Sequence, residues 1–196
     1  MDLARLKDQE LVERFVKGDK DCIQELINRH KDRVYTYILL IVKNSHVADD
    51  LFQDTFIKVI KSLEKNKYKD EGRFLSWVIR IAHNLTIDYF RKNKNQNTYS
   101  NDNSEVDLLN SPKFSDSTVE EHMIEDQKVK DVRFLIDKLP KDQKQVVLMR
   151  HYGNMSFKEI SEQTGVSINT ALGRMRYALI NMRKLMEEHH MNLANF

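Results

Sequence analysis

Apolar residues recur every three or four positions in two blocks of this chain, and the stretch between the blocks has no period at all. A spacing of three to four lays an apolar stripe along one face of an α-helix, whereas a half-buried strand needs strict alternation. Nothing in residues 8–92 alternates with period two. "DQELVERFVKGDKDCIQELINRHKDRVYTYILLIV" carries Leu11, Phe15, Ile23, Leu26, Ile27, Val34, Ile38 and Ile41 at helical spacing. Gly18 is placed to end a first helix, and Ser45 to cap a later one. With five Gly and two Pro in 196 residues, little interrupts such helices. The fold expected is all-α: two small helical domains, 1–93 and 128–196, the second holding a helix-turn-helix.

The connection between them, 94–127, is expected to be a flexible acidic linker. "NKNQNTYSNDNSEVDLLNSPKFSDSTVEEH" is rich in Asn, Ser and Asp, and too little apolar surface is available to offset the entropy of ordering it. From Asn93 to Asp126 there are eight acidic residues against two lysines, while the neighbouring segments are basic, so the net charge of +2 conceals an uneven distribution.

Several classes are excluded by what the chain lacks. The single cysteine, Cys22, forms no internal disulfide and reads as a small buried side chain in a protein of a reducing compartment. No apolar run reaches the ~18–20 residues of a membrane span, and "MDLARLKDQELVERF" has no signal-peptide core, so a cytoplasmic protein without membrane insertion is expected. The seven histidines are scattered with no zinc-ligand spacing, and there is no Gly-rich phosphate loop or nucleophile–base arrangement. No catalytic residue, metal or cofactor is expected, and the chain is read as a non-enzyme.

Three stretches carry chemistry. In "SFKEISEQTGVSINTALGRMRYAL" (156–179), Ser156 and Glu159 fit a capping box, Gly165 a tight turn, and Ser167 the cap of a second helix. At 100° per residue, Ile168, Ala171, Leu172, Met175, Ala178, Leu179 and Met182 share one side. Asn169, Thr170, Gly173 and Tyr177 lie opposite, with Arg174 and Arg176 at the margins. That pattern suits a DNA recognition helix with Ser167 at its entry, and it also suits a plain helical hairpin with a solvated face.

In "SHVADDLFQDTFIKVIKSLE" (45–64), Ala48, Phe52, Thr55, Phe56, Val59 and Leu63 point inward, and Asp50, Gln53, Asp54, Ile57 and Lys61 outward. An outward isoleucine among carboxylates fits either protein docking or ordinary solvation. In 66–95, Phe74, Trp77, Val78, Ile81 and Leu85 form the expected core stripe, Trp77 included. Arg80, His83, Asn84, Ile87 and Arg91 form the opposite face, followed by Lys92 and Lys94. The loop before it, with Lys67, Tyr68, Lys69 and Arg73, joins an aromatic to cations, the chemistry of single-strand binding.

Taken together, "DDLFQDTFIKV", "GRFLSWVIRIAHNLTIDYFRK" and "LPKDQKQVVLMRHYGNMSFKEISEQTGVSINTALGRMRYAL" resemble bacterial RNA polymerase sigma factors of the sigma-70 family, extracytoplasmic-function group. The resemblance spans 8–92 and 128–187. It implies a promoter-specificity subunit with core RNA polymerase, promoter DNA and an anti-sigma factor as partners. It implies that Asp50, Gln53, Asp54 and Ile57 dock on polymerase. It implies that Tyr68 and Asn84 trap a flipped base of the −10 element, with Arg73, Arg80, Arg91 and Lys92 beside the single strand. Ser167, Asn169, Thr170, Gly173, Arg174, Arg176 and Tyr177 would meet the −35 duplex, and the acidic linker would thread polymerase channels. Gly173 and Tyr177 depart from the charged or hydroxyl residues common there, which leaves the −35 sequence open. The tail "EEHHMNLANF" is too short to fold, so a regulatory domain is expected on another protein.

Overall fold

The computed structural model describes residues 3–69, 72–96 and 130–191, with backbone only at 95 and 96. Every regular element among them is helical. The chain divides into two compact units, one holding the first four α-helices and the other the last four. The linker expected between them and the last five residues of the tail lie outside the described residues.

In the first unit, a short 3₁₀ turn (Leu3–Arg5) leads into α1 (Asp8–Val16), α2 (Asp21–Val42), α3 (Ser45–Glu64) and α4 (Phe74–Gln96). Arg29 of α2 ties down the entry by donating to the Leu6 carbonyl at 2.9 Å, the Ala4 carbonyl at 3.1 Å and Asp8 Oδ1 at 2.7 Å. Asp8 also meets His30 Nε2 at 2.8 Å. Burial alone raises the Asp8 carboxyl pKa, but hydrogen bonds and charge from His30 and Arg29 outweigh it and hold the carboxyl below its ordinary value. α1 ends as expected, with Gly18 at φ +107°, a conformation open to glycine at little cost.

The start of α3 differs by one residue from the sequence expectation. Asn44, extended at φ −144°, is the cap: its side-chain oxygen accepts the Val47 N–H at 3.1 Å, and Ser45 is already helical. Within α3, Ala48, Thr55, Phe56, Val59 and Leu63 are buried as expected. Leu51 joins them, and Phe52 is only half-buried, set edge-on against Tyr35 and Phe56.

α4 packs on both α2 and α3, so its buried arc is wide and rotated from the expected stripe. Phe74, Leu75, Ser76, Val78, Ile79, Ala82, His83 and Thr86 are buried, while Trp77, Ile81 and Leu85 are half-exposed. His83, expected outside, is thus an interior residue. Its Nδ1 lies 2.9 Å from the hydroxyl of the fully buried Tyr37. The buried hydroxyls of Thr55 and Thr86 are satisfied locally by the Leu51 and His83 carbonyls, at 2.6 and 2.7 Å. Cys22 is buried, as expected, and burial with the adjacent Asp19 pushes its thiol pKa up, away from reactivity.

The second unit comprises α5 (130–138), α6 (Lys141–His151), α7 (Phe157–Thr164) and α8 (Ile168–Glu188). Leu135 and Ile136 of α5 and Leu139 just after it are buried. In α6 four consecutive apolar residues, Val146 to Met149, span the whole helix circumference, and all four are buried. α6 and α7 both pack on α8.

Candidate nucleic-acid and partner interfaces

The α3 surface follows from local periodicity. Asp50, Gln53, Asp54 and Ile57 are all exposed, Ile57 at 46%, on the side away from Ala48, Thr55 and Val59. Residues four apart on a helix are neighbours, so Asp50, Asp54 and Ile57 form one continuous patch with Gln53 between them. The groove between α3 and α4 is lined by Asp50, Leu51, Asp54, Leu85, Tyr89 and Lys92. Lys92, read from sequence as a holder of DNA, therefore shares a groove with two of the carboxylates read as polymerase contacts.

The second surface starts at the loop after α3. Tyr68 is half-buried, with its ring centroid 4.4 Å from that of Trp77 and 6.0 Å from that of Phe74. Trp77, in turn, is 5.9 Å from Phe74. These three rings form an aromatic cluster at the first turns of α4, with Phe74 buried and edge-on to Tyr68 and with Trp77 tilted 36° from Tyr68 at the half-exposed edge, a placement the core assignment of Trp77 missed. The signal was available in principle: Trp77 lies seven residues before Asn84 and fourteen before Arg91, hence on the same face. Asn84 and Arg91 are indeed exposed, and Arg91 pairs with Asp88 at 2.9 Å. Arg73 is exposed just before the helix. Arg80 is half-buried, and its Nε is buried without a hydrogen-bond partner among the described residues. A buried donor of this kind is uncommon.

The third surface is the α7–turn–α8 hairpin. Ser156 Oγ accepts the Glu159 N–H at 3.2 Å and the Glu159 carboxylate accepts the Ser156 N–H at 2.8 Å, the reciprocal cap the sequence indicated. Gly165 then turns the chain at φ +68°. Ser167 caps α8 by accepting the Thr170 N–H at 3.1 Å, and the two hydroxyls are 2.9 Å apart.

On α8 the buried arc is narrower than expected. Only Ala171 and Ala178 are fully buried. The flanks of α8 on either side of these two small residues are left uncovered. Ile168, Leu172 and Leu179, expected inside, are each more than 40% exposed. Asn169, Thr170, Arg176 and Tyr177 are exposed, and Gly173 is half-exposed. Arg174 is engaged differently from the free margin residue expected: it donates to Asp142 at the start of α6 at 2.6 Å. Asn181 binds Gln143 of the same helix at 2.8 Å.

These features define a class: an all-helical protein with a helix-turn-helix in one unit and an acidic–apolar face plus an aromatic–basic face in the other. Family profiles assign each unit. Residues 26–96 match Sigma-70 region 2, and residues 130–176 match Sigma-70 region 4. The chain is 28% identical to the RNA polymerase sigma factor CarQ of Myxococcus xanthus, covering 93% of this chain and 99% of CarQ. It is 27% identical to the ECF RNA polymerase sigma-E factor of Haemophilus influenzae, covering 93% and 95% of the two chains. Its fold is similar to that of the sigma factor RpoE from Bartonella quintana, solved in complex with the anti-sigma factor NepR, with a TM-score of 0.62 at 15% identity over 84% of this chain and 96% of that one. This chain belongs to the sigma-70 family, in its extracytoplasmic-function group.

Proposed function

We propose that this protein is the promoter-specificity subunit that brings core RNA polymerase to −35 and −10 elements and starts transcription of a dedicated gene set. The observation that carries the reading is the order of the two matched regions on two separate units, region 2 before region 4. Residues 1–93 would bind polymerase and the −10 element, 94–127 would be the linker, and 128–196 would bind the −35 element. Catalysis resides in the polymerase, so this chain has no enzymatic activity of its own. It acts in the cytoplasm; among the described residues no helix is long and apolar enough to cross a membrane.

In this reading the α3 patch of Asp50, Gln53, Asp54 and Ile57 docks on polymerase, its exposed isoleucine ringed by polar groups as in an interface centre. Tyr68, buttressed by Trp77, supplies a stacking wall for an unstacked base, and Asn84 supplies hydrogen bonds to its edge. Arg73, Arg80 and Arg91 follow the strand, and Lys92 meets it at the rim of the α3–α4 groove. One stack is worth ~1–3 kcal/mol, comparable to the few kcal/mol that unstacking costs.

The −35 duplex receives α8. Asn169, Gly173, Arg176 and Tyr177 face it, Ser167 and Thr170 mark the helix entry, and Arg174 braces the helix through Asp142. The RpoE–NepR complex supports an anti-sigma protein as the regulator of this chain too.

The test is run-off transcription with purified core polymerase from the source organism on sheared genomic DNA, with and without the protein. New starts sharing upstream elements are expected. No new starts together with no co-elution with core polymerase would sink the reading.

A further inference from the structure

The outward side of α8 is more apolar than a helix that reads DNA through charge alone requires. Leu172 is 43% exposed and Ile168, one turn earlier, 45% exposed. Both lie in the N-terminal half of the helix, the part that enters the major groove in this motif. Asn169, Leu172, Gly173 and Arg176 stand at i, i+3, i+4 and i+7 and so form one contiguous row, none of them buried. Gly173 adds a notch to that row. A Cβ built there meets nothing within 4 Å, so packing does not require a glycine, and its φ is not in the left-handed region. A helix-interior glycine without a packing reason leaves room for something outside the protein to come close. Meanwhile Arg174, which could have reached guanine, is held by Asp142 at 2.6 Å.

We propose that Leu172 and Asn169 read neighbouring A·T pairs of the −35 duplex, Leu172 by packing on a thymine C5-methyl and Asn169 by a bidentate amide contact to an adenine. The inference rests on the reading of α8 as the −35 helix and specifies its sequence preference. The chemistry fits each group: asparagine matches the adenine N6–H donor and N7 acceptor, and an apolar side chain is satisfied by the thymine methyl, the main apolar feature of the major groove. The spacing fits as well. Three residues of α-helix rise ~4.5 Å, close to the ~3.4 Å between stacked base pairs, so the two side chains address adjacent pairs.

The experiment uses the full chain assembled with core polymerase. Wild-type protein first locates start sites on genomic DNA, and their aligned −35 elements give the template. Templates are then made with the −35 thymines replaced by deoxyuridine, which removes only the methyl, and with A·T pairs replaced by G·C. Wild-type open-complex formation is expected to fall about fourfold for each contacted methyl lost, the scale of one buried methylene. Leu172→Ala is expected to weaken the thymine template by a similar factor and to stop distinguishing thymine from deoxyuridine. Asn169→Ala is expected to lose discrimination at the adenine. A wild type indifferent to deoxyuridine, or a Leu172→Ala protein weakened equally on both templates, would overturn the proposal and assign Leu172 to a protein partner. A wild type that directs no specific starts would instead fail the sigma-factor reading itself.

Discussion

The hydroxyl of Tyr37 on α2 and Nδ1 of His83 on α4 sit 2.9 Å apart inside the first unit, a polar pair of residues 46 apart in sequence that joins two helices. Burial pushes the Tyr37 pKa far up, so the phenol keeps its proton. Burial also lowers the His83 pKa from 6.5 to about 4, because a charged imidazole there would lose its hydration.

A pH dependence follows from that shift. Between pH 6.5 and about 4 the unfolded chain binds a proton at His83 that the folded chain does not. Stability is therefore full above pH 6.5 and falls as pH drops through this window, by about 3 kcal/mol in all at 1.36 kcal/mol per pH unit. The Asp8 carboxyl, with its lowered pKa, loses its contribution only below its unfolded value of 3.8, outside the window. Urea unfolding from pH 4.5 to 7 is expected to show the slope in wild type and a much flatter one in His83→Gln. Equal slopes would remove His83 as its source.

Gly165 tests the turn of the hairpin. At φ +68° an L side chain is strained, and no neighbour within 4 Å complicates the substitution. Gly165→Ala is expected to cost about 1 kcal/mol, and Gly165→Asn less, because asparagine tolerates the left-handed region. Thermal melting of the two variants gives the order; alanine matching glycine would contradict it.

At Gly173 the same substitution has the opposite sign. The backbone is ordinary helix and the added methyl is unobstructed, so Gly173→Ala is expected to stabilise by about 0.5–1 kcal/mol while reducing −35 binding by filling the notch. A melting curve beside a promoter-binding titration separates the two effects.

The α3 patch predicts a docking defect without a folding defect. Ile57→Asp and Asp54→Lys alter exposed side chains, so melting temperatures should stay within a degree or two. Affinity for core polymerase should fall about tenfold or more if Ile57 anchors the interface. Retained co-elution at low protein concentration would place the dock elsewhere.

Trp77 is the sole tryptophan and lies against Tyr68, so its fluorescence reports on the aromatic cluster directly. Tyr68→Ala is expected to red-shift the emission as water reaches the indole, and to weaken binding of the −10 single strand by the holoenzyme about tenfold. An unshifted spectrum would mean that the two rings are not in contact in solution.

Some of this protein was settled by local chemistry. Ser156 and Glu159, Gly165, and Ser167 act across at most four residues, so the α7–α8 hairpin was legible from its letters alone. The exposed row Asp50, Gln53, Asp54 and Ile57 was legible as well, since α3 has a single wide apolar side and the wheel has one solution. α3 packs on α1, α2 and α4 and still keeps this row outside them, whereas on α4 the wheel alone misplaced the stripe. α4 lies against two helices, and the interior arc that results takes in His83 because Tyr37, far away in sequence, meets its ring nitrogen. Trp77 lies at the half-exposed edge of that arc, against Tyr68. On α8 the buried arc is narrow: Ala171 and Ala178 face α6 and α7 while Ile168, Leu172 and Leu179 fall outside their cover, and Arg174 pairs with Asp142 of α6. Helix, cap and turn depend on neighbours three or four residues away and are written in the sequence. Which apolar or charged side chain is finally spent on the core depends on partners that only the packed helices bring together.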